Sequence, residues 1–121
     1  LVVDDEVHIL HVVSMKLRNA GYTVITAEDG EEALELATSR SPDLIITDYQ
    51  MPYMTGLELC MALKKNASTQ DMPAIMVTAR GFNLPREYLE KKNIAGVLSK
   101  PFSPREILTR VQELIGATAA T

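Results

Sequence analysis

Short apolar, β-branched runs and helical patterns take turns along this chain, and that alternation narrows its fold more than any other feature. The runs fall at residues 1–3, 22–26, 44–47, 74–77 and 97–99. Leu44-Ile45-Ile46-Thr47 is uninterrupted, as a central parallel strand covered on both faces should be. After each run, apolar residues recur three and four apart, the mark of a helix with one buried face. Residues 7–19 set Val7, Leu10, Val13, Ser14 and Leu17 on one side. Residues 30–40 bury Ala33, Leu34 and Ala37, with Asp29 as N-cap and Glu32 as its capping-box partner. A third helix is expected over 57–65 and a short polar one over 84–92, with Pro85 in its first turn. Ser103-Pro104-Arg105-Glu106 opens the last, whose buried stripe is Ile107, Leu108, Val111 and Ile115. Residues 66–73 read as a surface loop. Five strands alternating with five helices predict an α/β three-layer sandwich on a parallel sheet, with right-handed crossovers. Periodicity leaves the strand order open.

Length and charge set further bounds. One compact domain accounts for the 121 residues, covering 1–115, with 116–121 read as a tail or the start of a linker. An apolar share of 46% describes an ordinary globular chain, and no apolar run nears the ~18 residues of a membrane span. The net charge of −4 counts against direct nucleic-acid contact, which needs clustered Lys and Arg. Cys60, the single cysteine, sits at helical spacing among apolar residues and reads as a buried thiol. A lone cysteine and no signal-like segment lead us to expect a reducing, cytoplasmic setting. Leu1 already lies inside a strand-like run, so residues before it are expected. His8 and His11 read as surface residues of the first helix.

The polar residues that follow the runs carry the chemistry. Asp4 and Asp5 follow the first run, Asp48 the third, Thr78 the fourth and Lys100 the fifth. An open parallel sheet gathers the C-terminal ends of its strands on one edge, where ligands bind at the topological switch. Three carboxylates, a hydroxyl and an ammonium are therefore expected at one rim. Taken singly, each has an ordinary role: acids cap helices, Thr78 is a loop hydroxyl and Lys100 a solvated charge. Taken together they make a site. Carboxylates held close repel one another until a proton or a cation intervenes. Mg²⁺, a hard ion that takes oxygen ligands, is the natural candidate. A carboxylate beside such an ion can attack phosphorus, while Lys and the ion neutralise the transferring oxygens.

The stretches LVVDDE at 1–6, DLIITDYQMPYMTG at 43–56, VTA at 77–79 and KPF at 100–102 resemble, in this order and spacing, the receiver domains of two-component response regulators. GYTVITAEDGEEAL at 21–34 has the same style. The resemblance implies a flavodoxin-like sheet in the order 2-1-3-4-5 flanked by five helices. It implies a phosphorylation-dependent signalling switch, not a turnover enzyme. Asp48 matches the phosphoacceptor, loaded from the phosphohistidine of a sensor histidine kinase. Asp5 matches the direct Mg²⁺ ligand, Asp4 the acid that works through metal-bound water, and the backbone carbonyl of Gln50 the third protein ligand. Thr78 matches the hydroxyl that moves toward the phosphate, and Lys100 the cation paired with it. Pro101 matches a proline often preceded by a cis peptide, Ala79 a small residue that leaves the phosphate accessible, and Gly56 a backbone turn after the acceptor loop. Arg80 stands where side chains affect phosphate lifetime, although an exposed loop arginine is the plainer role. The chain departs from the pattern at Val97, where the family commonly has Tyr or Phe, so the aromatic half of the usual switch is absent or replaced.

The implied partners are a sensor histidine kinase or a histidine phosphotransfer protein, an output domain beyond this chain, and a phosphorylation-dependent second copy. No membrane contact is implied. Other functions compete. A receiver fused to a hybrid kinase would relay phosphate onward to a histidine phosphotransfer protein. A phosphatase with an aspartyl nucleophile would place a second acid two residues later, where Gln50 cannot donate a proton. A pure binding module of the same shape has no need for the complete set of acids, hydroxyl and lysine.

Overall fold

The computed structural model describes residues 1–79 and 94–116. In chain order they form β1 (Val2–Val3), α1 (Val7–Asn19), β2 (Thr26–Ala27), α2 (Gly30–Arg40), β3 (Ile45–Asp48), α3 (Gly56–Lys64), β4 (Ala74–Thr78), β5 (Ile94–Ser99) and α4 (Pro104–Ile115). The helix expected over 84–92, the Arg80 position and tail residues 117–121 lie outside the described residues. All strand pairs are parallel, and the sheet runs β2-β1-β3-β4-β5. The chain order reverses between β1 and β3, which puts the ligand-binding crevice at their C-terminal ends.

Successive strand residues face opposite sides, so one sheet feeds two cores. Val3, Ile45, Ala74, Met76 and Ile94 pack with α2 and α3 residues such as Ala33, Ala37, Leu59 and Leu63. Val2, Ile46, Ile75, Val77 and Leu98 pack with Leu10, Val13 and Leu17 of α1 and with Ile107 and Val111 of α4. β3 and β4 are buried along their whole length, as central parallel strands are.

Helix starts are set by local chemistry. Asp29 caps α2 by accepting the Glu32 N–H at 2.8 Å, although the Glu32 carboxylate reaches back to the Glu28 N–H, not to that of the cap. Ser103 and Glu106 close the expected capping box on α4. Thr55 and Glu58 make a second box that starts α3 at Gly56, one residue earlier than the apolar pattern indicates.

The strand bounds differ from expectation at both edges. In β2 only Thr26 and Ala27 are in register with β1, opposite Val2 and Val3. Tyr22 instead belongs to the turn closing α1, its N–H donating to the Leu17 carbonyl at 3.1 Å. β5 begins at Ile94, three residues early, across an irregularity in its ladder with β4. Gly96 had masked its apolar rhythm. Val7, expected on the buried face of α1, is 62% exposed. Leu34, Leu108 and Ile115 are half-buried. Within the 66–73 loop, Thr69 is buried, its hydroxyl donating to the Leu63 carbonyl at 2.6 Å.

Candidate functional site

Backbone bonds between strand ends assemble the rim. The Asp4 N–H donates to the Ala27 carbonyl at 3.2 Å, the Tyr49 N–H to Val77 at 2.8 Å and the Lys100 N–H to Thr78 at 2.8 Å. Asp48 is the last residue of β3, in register with Val77, and Thr78 is the last of β4, in register with Ser99. The expected residues therefore do converge. Asp4, Asp5 and Asp48 each offer a carboxylate oxygen, and the three oxygens lie within 4.8 Å of one another. Asp4 and Asp48 are buried, and Asp5 is exposed at the mouth. Gln50 lies two residues past Asp48 in the turn, its side chain exposed.

Lys100 spans the cluster. Its Nζ lies 3.1 Å from Glu6 Oε1, 3.3 Å from Asp4 Oδ2 and 3.5 Å from Asp48 Oδ1. Glu6 is the functional residue the sequence left without a task. It was visible only as the third acid of the DDE run, and only the fold brings it to a lysine 94 residues away.

One ammonium among four carboxylates leaves the rim short of positive charge. Burial, reinforced by Asp4, pushes the Asp48 carboxyl up to about 6, against the pull of Lys100. Asp4 is also raised, chiefly by burial, although the Glu6 N–H and Lys100 favour its anion. For Lys100, burial works against the charged form, but Asp4, Glu6 and Asp48 together raise its pKa. A divalent cation fits this donor set: hard oxygen donors, close together, carrying charge that one lysine does not balance. The Thr78 hydroxyl is buried and, among the described residues, has no hydrogen-bond partner. A buried hydroxyl left so costs on the order of 1–3 kcal/mol, which a ligand oxygen would recover.

Other expected residues fall as follows. The Lys100–Pro101 peptide is cis, Ala79 is exposed, and His8 and His11 are exposed on α1. Gly56 is needed for close approach and not for a turn. It opens α3, where a Cβ would fall on the Asp48 carbonyl oxygen and within 2.8 Å of Met76 Sδ. Val97 is half-buried against the α2–α3 core. Cys60 is buried, and its thiol is pushed up to about 12 by that burial. A cleft of about 510 Å³ beside Lys100 is lined by His8, Ile9, Val12, Pro101 and Phe102. Among the described residues, no helix is long and apolar enough to cross a membrane.

The chain is similar to known proteins in both sequence and fold. Residues 1–112 match the family model described as the response regulator receiver domain. The alkaline phosphatase synthesis transcriptional regulatory protein PhoP of Bacillus subtilis is 38% identical, over 95% of this chain and 47% of its own length. The phosphate regulon transcriptional regulatory protein PhoB of Pseudomonas aeruginosa is 36% identical, over 98% of this chain and 52% of its own. The chain thus spans about half the length of these curated relatives. Among solved structures, the chemotaxis response regulator CheY4 of Vibrio cholerae superposes with a TM-score of 0.85 at 36% identity, covering 93% of this chain and 94% of that one. The receiver domain of the sensor histidine kinase PA1611 from Pseudomonas aeruginosa, solved with a magnesium ion coordinated in its active-site cleft, gives 0.83 at 27% identity, covering 96% and 95%. With its parallel 2-1-3-4-5 sheet and its acids at the strand ends, the chain belongs to the response regulator receiver domain family, whose members act as signalling switches and not as turnover enzymes.

Proposed function

We propose that residues 1–115 form a switch that accepts a phosphoryl group on Asp48 from the phosphohistidine of a sensor histidine kinase or a histidine phosphotransfer protein. Mg²⁺ would be held by Asp4, Asp5, Asp48 and the Gln50 carbonyl. What supports this is one observation: a buried carboxylate at the centre of the strand ends has two further acids and an ammonium within reach. When bound, the ion neutralises the carboxylates and the phosphoryl oxygens facing them.

An Asp48 carboxylate oxygen attacks phosphorus. The O–P bond forms as the N–P bond of the donor breaks, and the departing imidazole takes up a proton from solvent. Lys100 shifts from the carboxylate to a phosphoryl oxygen, and the unpartnered Thr78 hydroxyl donates to another. Water slowly hydrolyses the product. Phosphorylation adds roughly −1.5 to −2 charges. Because the Lys100 N–H is bonded to the Thr78 carbonyl, both residues move as a linked pair, and the chain after β4 and β5 follows. Val97 is too small for an aromatic rotor, so this backbone link is the route to the surface of β5 and α4. A bias of ~1–3 kcal/mol between two states is the scale of such coupling.

PhoP and PhoB are transcriptional regulators about twice as long. That favours a cytoplasmic regulator with an output domain outside this chain, itself making no nucleic-acid contact here and pairing with a second copy when phosphorylated. The likeness to a receiver from a sensor kinase supports the second possibility, onward relay to a histidine phosphotransfer protein. Acetyl phosphate with Mg²⁺ should label the protein at one site, read by intact mass, and Asp48→Asn should abolish the label. Stoichiometric labelling of Asp48→Asn would assign the acceptor elsewhere.

A further inference from the structure

We propose that Glu6 is a positioning residue, a counter-charge latch that holds Lys100 in the unphosphorylated state and releases it when Asp48 carries a phosphoryl group; this rests on Asp48 being the acceptor.

Three observations converge on Glu6. Of the three carboxylates around Lys100, Glu6 makes the shortest contact, 3.1 Å against 3.3 and 3.5 Å. Glu6 is also the N-cap of α1, and its side chain makes no capping bond there, while Asp29, Thr55 and Ser103 each cap their own helix. Glu is a weak N-cap, for which Asn, Asp, Ser and Thr are preferred. The position thus forgoes a cap, and its side chain reaches across the rim instead. Third, the backbone fixes the reach: the Glu6 N–H is held by Asp4 Oδ1 at 2.9 Å, while Asp4 Oδ2 faces the same ammonium. The acid that grips Lys100 is therefore tied to the acid cluster by its own main chain.

The contacts also define how the latch opens. Lys100 has one ammonium to share. A phosphoryl group on Asp48 presents three oxygens with more charge than the carboxylate it replaces, so the ammonium moves toward it and away from Glu6. Glu6 is 59% exposed at the side chain, so water takes over the freed carboxylate at little cost. The same exposure keeps the latch weak, in the range of partly exposed ion pairs. Glu6 therefore favours the empty state over the phosphorylated one by a small factor.

The test compares Glu6→Gln, which keeps the shape and loses the charge, with the unaltered protein. Beryllofluoride affinity at saturating Mg²⁺ should rise about two- to fivefold, and the half-life of the acyl phosphate should lengthen. Mg²⁺ affinity without beryllofluoride should fall, because a nearby negative charge is gone. A merely structural change moves both affinities the same way. The gain should also shrink in ~1 M salt, where exposed charges are screened. Glu6→Ser, a better cap, should raise the melting temperature and still tighten beryllofluoride binding, separating helix stability from the latch. Equal beryllofluoride affinities in all three proteins overturn the latch while leaving the acceptor in place. No response to beryllofluoride in the unaltered protein removes both.

Discussion

The two ends of the sheet follow opposite rules. At the end where the strands begin, Leu1 and Leu44 are buried together with Leu17, Val24 and Val111. At the end where they finish, Asp4, Thr78 and Asp48 are just as buried, yet one lysine serves three carboxylates and the Thr78 hydroxyl bonds to no described residue. The same five strands thus carry a region assembled for packing and a region assembled against it. Core burial at about 25 cal/mol per Å² offsets the charge held at the rim. Stability and chemistry are separated here by only the length of β3, four residues.

That contrast can be broken from either side. The largest effect belongs to the core. Ile75 is fully buried among α1 and α4 residues, so Ile75→Ala should cost ~2–5 kcal/mol. Urea denaturation would read this as a lower midpoint, and a loss under 1 kcal/mol would mean the core has been overrated. Changes at the rim should do the reverse. The folded-state pKa of Asp48 is about 6, above its ordinary 3.8, so the folded state binds its proton more tightly than the unfolded one. Its contribution to stability therefore falls as pH rises from about 4 to about 6 and is flat above that. Without metal, Asp48→Asn should be the more stable protein at pH 7.5 by roughly 2–3 kcal/mol, with the gap closing toward pH 4. Mg²⁺ should raise the melting temperature of the unaltered protein more at pH 7.5 than at pH 5.

Smaller effects sharpen the picture. Thr78→Val removes a buried hydroxyl with no partner among the described residues and keeps the shape, so stability should hold or rise by ~1 kcal/mol. Phosphotransfer from acetyl phosphate should slow nonetheless, and a stable variant with undiminished transfer would take Thr78 out of the site. Cys60 gives the smallest signal. With its thiol raised to about 12 and buried, native protein should react with a disulfide reagent only as fast as it opens. Rapid native labelling would contradict the packing beneath α3.

The rim was legible in the sequence because each chemical residue stands within two positions of the end of an apolar run. Asp4, Asp48, Thr78 and Lys100 could be placed once the runs were read as parallel strands. What stayed hidden depended on partners far away in the chain. Tyr22 looks strand-like in the sequence, yet its N–H turns back to the Leu17 carbonyl and closes α1. Val7 fits the helical stripe yet sits at the exposed end of α1. Glu6 needed Lys100 in space before it had a role. The Thr55–Glu58 box is readable as Thr-x-x-Glu, but Thr55 lies within the acceptor-loop stretch, where a helix start carries no apolar signal.

The acids near the first strand, the acceptor in the middle and the lysine after the last strand share no neighbourhood until the sheet is complete. An unfolded chain therefore presents no comparable pocket, and whatever fills the rim acts as a clasp joining β1, β3 and β5. Binding energy then passes undiminished into resistance to heat and proteolysis, growing with ligand concentration as RT ln(1 + [L]/Kd). Occupancy of this domain can be followed by how hard it is to unravel.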